Sequence, residues 1–166
     1  WGLYEFREKV DDLDFTDHYY DQDSVEFIKT WGATWVDVLT TDQAEGPVFN
    51  SWDTFVNYVT TNDMTDQANY DYVKSVYNVG SLMDYFILNS YTVNADWLNW
   101  NTAWWHGLNE DGDKKKWRYV LWDMDNTFDH GANYSGVPNT GSDADPCDPE
   151  SLGDIGGQGH IPIWNA

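Results

Sequence analysis

Three side chains suited to a metal-assisted site stand in two short segments of the sequence. Asp96 and Asn101 are five residues apart in DWLNWN, and Asp123 follows in WDMD at the end of an apolar run. Mg²⁺ is a hard cation that binds carboxylate and amide oxygens and usually keeps waters and substrate phosphates as its other ligands. These residue types therefore supply the metal ligands and the base that phosphoryl transfer needs.

The spacing matches that of the catalytic loop of protein kinases. There an Asp accepts the substrate hydroxyl proton, an Asn five residues later holds a metal ion, and an Asp at a strand end holds the metals that bridge the phosphates. Because the chain has 29 acidic residues, spacing alone does not exclude coincidence. The alternatives are a solvated strand end at Asp123 and a helix-ending turn at Asp96 that Asn94 favours.

Two neighbouring residues compete for the metal roles. Asn99 is the alternative to Asn101, and the five-residue spacing favours Asn101. Asp123 and Asp125 occupy alternate positions of a segment that reads as extended, so we expect them to face opposite sides. We predict that Asp123 is the ligand, while Asp125 is either a second ligand or an acceptor that braces the loop.

Composition limits the classes of function. With 166 residues, of which 17% are aromatic, the chain can form one domain with a substantial core. Its net charge of −21 disfavours binding to nucleic acid or to anionic membranes, and it disfavours ATP unless Mg²⁺ or Mn²⁺ intervenes. No apolar run is long enough for membrane insertion and no signal peptide is visible, and Cys147 has no second cysteine with which to form a disulfide.

Local patterns predict strands at both ends of a helical middle. We expect a short strand over 1–7, a helix ending near Tyr20 with Leu13, Phe15, His18 and Tyr19 on one face, and a short strand or turn around Phe27. Apolar spacing then predicts three helices, over 52–61 capped by Ser51, over about 69–77, and over 82–92 capped by Ser81. Their predicted buried residues are Trp52, Phe55, Val56, Val59, Tyr70, Val73, Val76, Tyr77, Leu82, Tyr85, Phe86 and Leu88.

The second half of the chain begins with a predicted hairpin. Trp104 and Trp105 should pair with the run from Trp117 to Trp122 across a turn that contains Gly112. From residue 131 the Gly-, Asp- and Pro-rich sequence predicts a long loop, and Trp164 should open a final element.

Four segments in the same order resemble the spore-coat protein H (CotH) family of atypical secreted kinases. They are WGLYEFREK at residues 1–9, the run from Tyr85 to Asn101, the run from Lys116 to Phe128, and GHIPIWNA at the end of the chain. The resemblance is strongest over 1–30 and 78–130. It is thin over 31–77.

The resemblance implies an α+β, protein-kinase-like fold, with a mainly helical large lobe and a short β-hairpin near the active site. Residues 1–166 are then expected to be one partial domain, a hinge strand followed by the large lobe, with the smaller lobe upstream and further sequence downstream. By the same resemblance Asp96 is the catalytic base, Asn101, Asp123 and Asp125 are metal ligands, and Glu8 and Trp122 bind the nucleotide. Glu8 would lie in the hinge that carries the adenine.

The function implied is transfer of phosphate from ATP, with Mg²⁺ or Mn²⁺, to Ser or Thr hydroxyls of extracellular or cell-surface proteins, in a bacterial secreted or surface setting. The chain departs from kinases, since it has no Gly-rich phosphate loop, no Asp-Phe-Gly triplet and no recognisable strand Lys with an acidic helix partner. We therefore expect the isolated fragment to be inactive. Two alternatives remain, a carbohydrate-binding or carbohydrate-active surface domain and an inactive structural module of an extracellular assembly.

Overall fold

The computed structural model of this chain has an α+β arrangement, as the sequence predicts. It describes residue 2 and the ranges 9–30, 48–94, 101–110, 112–128 and 157–166, together with the backbone alone of 36–40 and 45–47. The predicted strand over 1–7, apart from Gly2, and the predicted loop over 131–156 lie outside the described residues.

One antiparallel sheet forms the centre of the molecule. Its strands are β1 (Val25–Thr30), β2 (Val36–Thr40), β3 (Thr102–Gly107) and β4 (Arg118–Val120), in the order β2-β1-β3-β4. The predicted hairpin of β3 and β4 is confirmed, with Trp105 opposite Arg118 and Ala103 opposite Val120. The sheet is wider than that hairpin, because β1 pairs with both β2 and β3 and so is an inner strand.

Because β1 contains two charged residues, its inner position in the sheet is difficult to predict from the sequence. A strand that is covered on both faces is normally a continuous apolar run, but β1 contains Glu26 and Lys29. Both side chains have partners: Glu26 Oε2 lies 2.5 Å from Nε2 of His106, its direct neighbour on β3, and Lys29 bonds to Asp11. Pairing allows these charges to be buried in a strand that periodicity alone does not predict.

In the part of the chain that the structure describes, four helices cover one face of the sheet: α2 (Glu45–Thr61), α3 (Gln67–Val76), α4 (Val79–Tyr91) and α5 (His160–Asn165). Trp52 lies at the centre of this core, with ring centroids of Trp104 and Trp117 at 5.4 and 5.2 Å. The predicted inner faces of these helices are largely confirmed; the buried members are Trp52, Phe55, Val59, Val73, Tyr77, Leu82, Tyr85 and Phe86. Tyr70 is an exception, with 38% of its surface exposed.

Among the described residues one helix, α1 (Leu13–Tyr20), packs on the opposite face of the sheet. The side chain of Asp12 caps it by accepting from the Asp14 N–H at 3.0 Å. The prediction that His18 and Tyr19 face inward is wrong, since both are exposed. Leu13, Thr16 and Tyr20 form the inner face instead, at the i, i+3 and i+7 spacing of a helix.

The predicted helix caps Ser51 and Ser81 are also wrong. Ser51 lies inside α2, which starts at Glu45, because Pro47 is tolerated in a first turn that needs no N–H donor there. At α4 the cap is Asn78, whose Oδ1 accepts from the Ser81 N–H at 3.0 Å. Ser81 instead accepts, through Oγ, a hydrogen bond from the Tyr119 N–H on β4 at 2.9 Å.

The C-terminal helix brings a buried histidine into the core. α5 starts at His160 rather than at Trp164, and Trp164 stacks on Phe86 with centroids 4.9 Å apart. His160 Nε2 donates to Gln158 Oε1 at 3.0 Å, so Nδ1 is the acceptor for the Tyr119 hydroxyl at 2.7 Å. Complete burial lowers the pKa of His160 to about 3, so the ring is neutral in this network.

Gly107, the last residue of β3, provides the first stability prediction. A Cβ added there would lie 1.9 Å from Oε1 of the fully buried Gln22, which accepts the Asn109 N–H at 3.0 Å. We expect Gly107→Ala to lower the free energy of unfolding by about 2 kcal/mol, because this contact forces the amide away from its partner. Urea unfolding checks this, and the same change in a Gln22→Ala background should cost clearly less. An equal cost in both backgrounds would contradict the steric explanation.

Candidate functional site

Two of the predicted metal ligands, Asn101 and Asp123, lie at the same end of the sheet. β1 and β4 end there and β3 begins there, with Thr30 opposite Thr102 and Ala103 opposite Val120. Asn101 immediately precedes β3, and Asp123 lies three residues after β4. Because adjacent antiparallel strands place the start of one beside the end of the other, the two residues occupy the same edge.

Asn101 combines deep burial with an unpaired side-chain oxygen. Only 6% of its surface is exposed, and its Oδ1 has no hydrogen-bond partner within the described part of the chain. A buried amide oxygen left unpaired costs about 1–3 kcal/mol, so such groups are rare and call for an explanation. The backbone of Asn101 is left-handed, with φ 56°, which adds to the local strain.

Left-handed backbone is concentrated around this edge. Of the five non-glycine residues with positive φ that the structure describes, four lie next to it: Val93, Asn101, Asp123 and Phe128. Val93 is β-branched, and such residues adopt this conformation rarely. Strain of this kind persists where the surrounding structure enforces it, typically at functional sites.

The segment that carries Asp123 and Asp125 is not extended at Asp123, although the sequence predicts it to be. Asp123 has φ 52°, so the segment is not extended there and the expected strict alternation of faces does not apply. Asp123 is half-buried, and Asp125 is exposed. The half-buried carboxylate is the better placed of the two to share a cation with Asn101.

A pocket of about 560 Å³ opens beside Asp123; its described lining is Lys9, Val10, Asp11, Lys29, Leu121, Trp122 and Asp123. Trp122 is half-buried, and its Nε1 is a buried donor without a partner among the described residues. Lys29 Nζ lies 5.2 Å from the centroid of that ring, within the range of a cation–π contact.

Asp96 and Glu8 lie outside the described residues, but their flanking segments are described. Asn94 Nδ2 donates to Asn89 Oδ1 at 2.8 Å and lies 3.5 Å from Met124 Sδ, the residue after Asp123. The chain therefore passes beside the Asp123 loop before residue 95 and reaches the same edge again at Asn101. Lys9, immediately after Glu8, lines the pocket.

Sequence reasoning missed the ion pair of Lys29 and Asp11 in this pocket. The two residues are eighteen positions apart, and their side chains are 12% and 16% exposed. Burial opposes ionisation of Asp11, but the hydrogen bond and charge of Lys29 outweigh it and hold the pKa of this carboxyl below its ordinary value. No local periodicity signals such a pair; the only hint is a Lys inside an apolar strand.

The donor set fits a hard divalent cation. One amide oxygen and one carboxylate are a typical protein contribution to a Mg²⁺ site whose other ligands are water and phosphate. The described residues contain no group of three or more His, Cys, Asp or Glu side chains that could hold a metal. Asn101 and Asp123 are accordingly candidates for a site completed by substrate, not for an all-protein cage.

No helix among the described residues is long and apolar enough to cross a membrane.

The chain matches the family model described as CotH kinase protein over residues 1–158, and it therefore belongs to the CotH kinase family. This confirms the resemblance carried by its sequence motifs. No curated protein matches the chain. No solved structure matches it either.

Proposed function

We propose that this chain provides the metal- and nucleotide-binding edge of an atypical kinase that transfers phosphate from ATP to Ser or Thr hydroxyls of secreted or cell-surface proteins. The observation that carries the proposal is the buried, unpaired Oδ1 of Asn101 at the same sheet edge as Asp123. Membership of the CotH kinase family supports it, since kinase chemistry uses an amide and a carboxylate as metal ligands.

In this proposal each residue has a separate role. Asn101 and Asp123 hold the divalent metal, Mg²⁺ or Mn²⁺, which when bound neutralises charge on the β- and γ-phosphates. Asp96 accepts the proton of the substrate hydroxyl. Trp122 and the segment around Glu8 contact the nucleotide, and Asp125 serves either as a second ligand or as a brace for the loop.

The rival carbohydrate function has less support. Sugars stack on exposed aromatic faces, and of the six tryptophans that the structure describes four are buried and two are half-buried. They are Trp52, Trp104, Trp105, Trp117, Trp122 and Trp164. The exposed aromatic faces belong instead to scattered residues such as Tyr19, Tyr72 and Tyr91. An inactive structural module remains as an outcome of the experiment below.

Titration calorimetry with ATP and Mg²⁺ on the intact protein tests the assignment. We expect Asp123→Ala to weaken metal-dependent ATP binding at least about 100-fold, because the phosphates then meet an acidic protein without their cation. Asp96→Ala should leave binding nearly unchanged and lower phosphotransfer by several orders of magnitude. Asp53→Ala, at an exposed position on α2, is the matched control for loss of one negative charge.

Two results would contradict this proposal. Equal loss of ATP binding in Asp96→Ala and Asp123→Ala would show that the two roles are wrongly divided. Absence of any Mg²⁺-dependent ATP binding by the unsubstituted intact protein would favour the inactive structural module.

A further inference from the structure

The turn that ends α4 does not need the side chain of Asn94. In this turn the Asn94 N–H donates to the Asn89 carbonyl at 3.0 Å, and the Val93 N–H donates to the Ser90 carbonyl at 3.2 Å. These two backbone bonds are those of a Schellman motif, which satisfies the last carbonyls of a helix without any side chain. The amide of Asn94 is therefore available for another purpose.

The same turn is stiff and is held at a conformational cost. Val93 occupies the position that glycine usually fills in this motif, with φ 51°. A β-branched residue adopts left-handed backbone only where its surroundings enforce it. Because valine has fewer backbone conformations available than glycine, the two residues that flank it are held in fixed directions.

Both flanking residues contact the loop of residues 123–128, which carries the candidate metal ligand. On one side the Thr92 carbonyl accepts the Phe128 N–H at 2.5 Å. On the other side Nδ2 of Asn94 lies 3.5 Å from Sδ of Met124, the residue after the ligand, and donates a weak hydrogen bond to it. The loop is thus attached to the end of α4 near both of its own ends.

A second buried amide anchors Asn94 to the helix. Nδ2 of Asn94 also donates to Asn89 Oδ1 at 2.8 Å, and Nδ2 of Asn89 donates to the Tyr85 carbonyl at 2.8 Å. Asn94 is 2% exposed and Asn89 is fully buried. A side chain that only filled this space would be apolar, because burying an amide is costly unless its donors are used. Here one N–H of Asn94 bonds to the helix and the other to the loop.

We propose that Asn94 is a positioning residue for Asp123: its amide fixes the loop of residues 123–128 against α4, so that the carboxylate is held at the sheet edge where Asn101 lies. This inference rests on the proposed function, because it takes Asp123 to be a metal ligand. Hydrogen bonds that orient metal ligands from outside typically account for about 10- to 100-fold in metal affinity. Asn94 also stands two residues before Asp96, so the metal ligand and the proposed base are attached to the same end of one helix.

Titration calorimetry with ATP and Mg²⁺ on the intact protein tests this role. We expect Asn94→Ala to weaken metal-dependent ATP binding about 10- to 100-fold, and an excess of Mg²⁺ should recover most of the loss, because the metal ligand is displaced and not removed. Asn78→Ala is the matched control. It removes a buried-side amide from the other end of α4, where Asn78 Oδ1 accepts the Ser81 N–H at 3.0 Å, and should leave ATP affinity unchanged.

Hydrogen exchange in the metal-free protein supplies a measurement without nucleotide. If Asn94 holds the loop, the Phe128 amide should exchange at least about 10-fold faster in Asn94→Ala than in the unsubstituted protein. The Leu108 amide, which donates to the Ser24 carbonyl at 2.8 Å beyond the opposite end of β3, should exchange at its original rate. Unchanged exchange at Phe128, or equal acceleration at both amides, would overturn the positioning role.

A second variant keeps the test valid where Asn94→Ala does not fold. Met124→Leu removes the acceptor on the loop, nearly conserves volume and leaves the bond between Asn94 and Asn89 intact. It should weaken metal-dependent ATP binding about 2- to 5-fold, the range of one weak hydrogen bond. In the double variant the two losses should not add, because both changes break the same contact. Additive losses would show that Asn94 does not act through Met124.

Failure of this inference differs from failure of the proposed function. If the unsubstituted protein binds ATP with Mg²⁺ and Asn94→Ala binds it equally well, the proposed function stands and the positioning role is wrong. An equal loss of ATP affinity in Asn78→Ala and Asn94→Ala would likewise leave Asn94 with a role in stability alone. If the unsubstituted protein binds no ATP with Mg²⁺, the proposed function is wrong and this inference fails with it.

Discussion

Replacing Asn101 with glycine is expected to make the metal-free protein more stable while removing the metal-dependent nucleotide binding that we propose. The change eliminates a buried oxygen without a described partner, and glycine accepts φ 56° without strain. These gains exceed the backbone entropy of an added glycine, so we expect a net increase of about 1 kcal/mol in the free energy of unfolding. Affinity for ATP with Mg²⁺ should fall at least about 100-fold.

Urea unfolding and titration calorimetry measure these two effects independently. Asn89→Ala is the matched control for stability, because Asn89 is fully buried but has a satisfied amide, which donates to Tyr85 O and accepts from Asn94. Its loss should lower the free energy of unfolding by about 1–3 kcal/mol. If Asn101→Gly destabilises the protein as much as Asn89→Ala does, the unpaired oxygen and the left-handed backbone of Asn101 do not destabilise the metal-free protein, and the prediction is wrong.

His160 should make the protein sensitive to acid in a defined window. Its pKa is about 3 in the folded chain, against an ordinary value of 6.5. Between these two pH values the imidazole is protonated in the unfolded chain and neutral in the folded chain. The contribution of His160 to the free energy of unfolding is therefore fully present above pH 6.5. On acidification it falls by about 1.4 kcal/mol per pH unit, about 5 kcal/mol in all by pH 3.

The measurement is the difference in free energy of unfolding between the unsubstituted protein and His160→Gln, followed from about pH 7.5 to about pH 4, which spans roughly the upper two thirds of the window. The difference removes the general effect of protonating 29 carboxyl groups, which both proteins share. Glutamine keeps a donor and an acceptor for the Tyr119 and Gln158 network but has no titratable ring. Parallel pH profiles for the two proteins would refute the burial of a neutral imidazole.

Local patterns in the sequence predicted α2, α3, α4 and the β3–β4 hairpin. The i, i+3, i+4 spacing around Trp52 and Leu82 correctly predicts the inner faces of α2 and α4, because those faces are long and strongly apolar. Helix starts were less accurate, since Ser51 and Ser81 are good capping residues that the structure uses otherwise. The position of a helix cap depends on the backbone conformation of several residues, so the residue type at one position does not determine it.

The candidate site was only partly accessible from sequence. Residue type and spacing selected Asn101 and Asp123, and the described structure places both at one sheet edge. The left-handed backbone of Asp123 could not be foreseen, because φ there depends on tertiary contacts and not on the Asp-Met-Asp pattern. The pairing of Lys29 with Asp11 was equally hidden, since it forms across eighteen residues and against the apolar pattern of its strand.

The bond from Trp52 Nε1 to the Gln158 carbonyl has a consequence for how the chain matures. It joins residues 106 positions apart, and His160 packs against both the Trp52 and the Trp104 rings. Closing so long a loop is entropically slow relative to local helix formation. During synthesis the aromatic core therefore cannot be completed until residues 158–160 have left the ribosome. In a nascent chain that stalls before residue 158, these tryptophans would stay exposed to chaperones and proteases instead of being packed in the core.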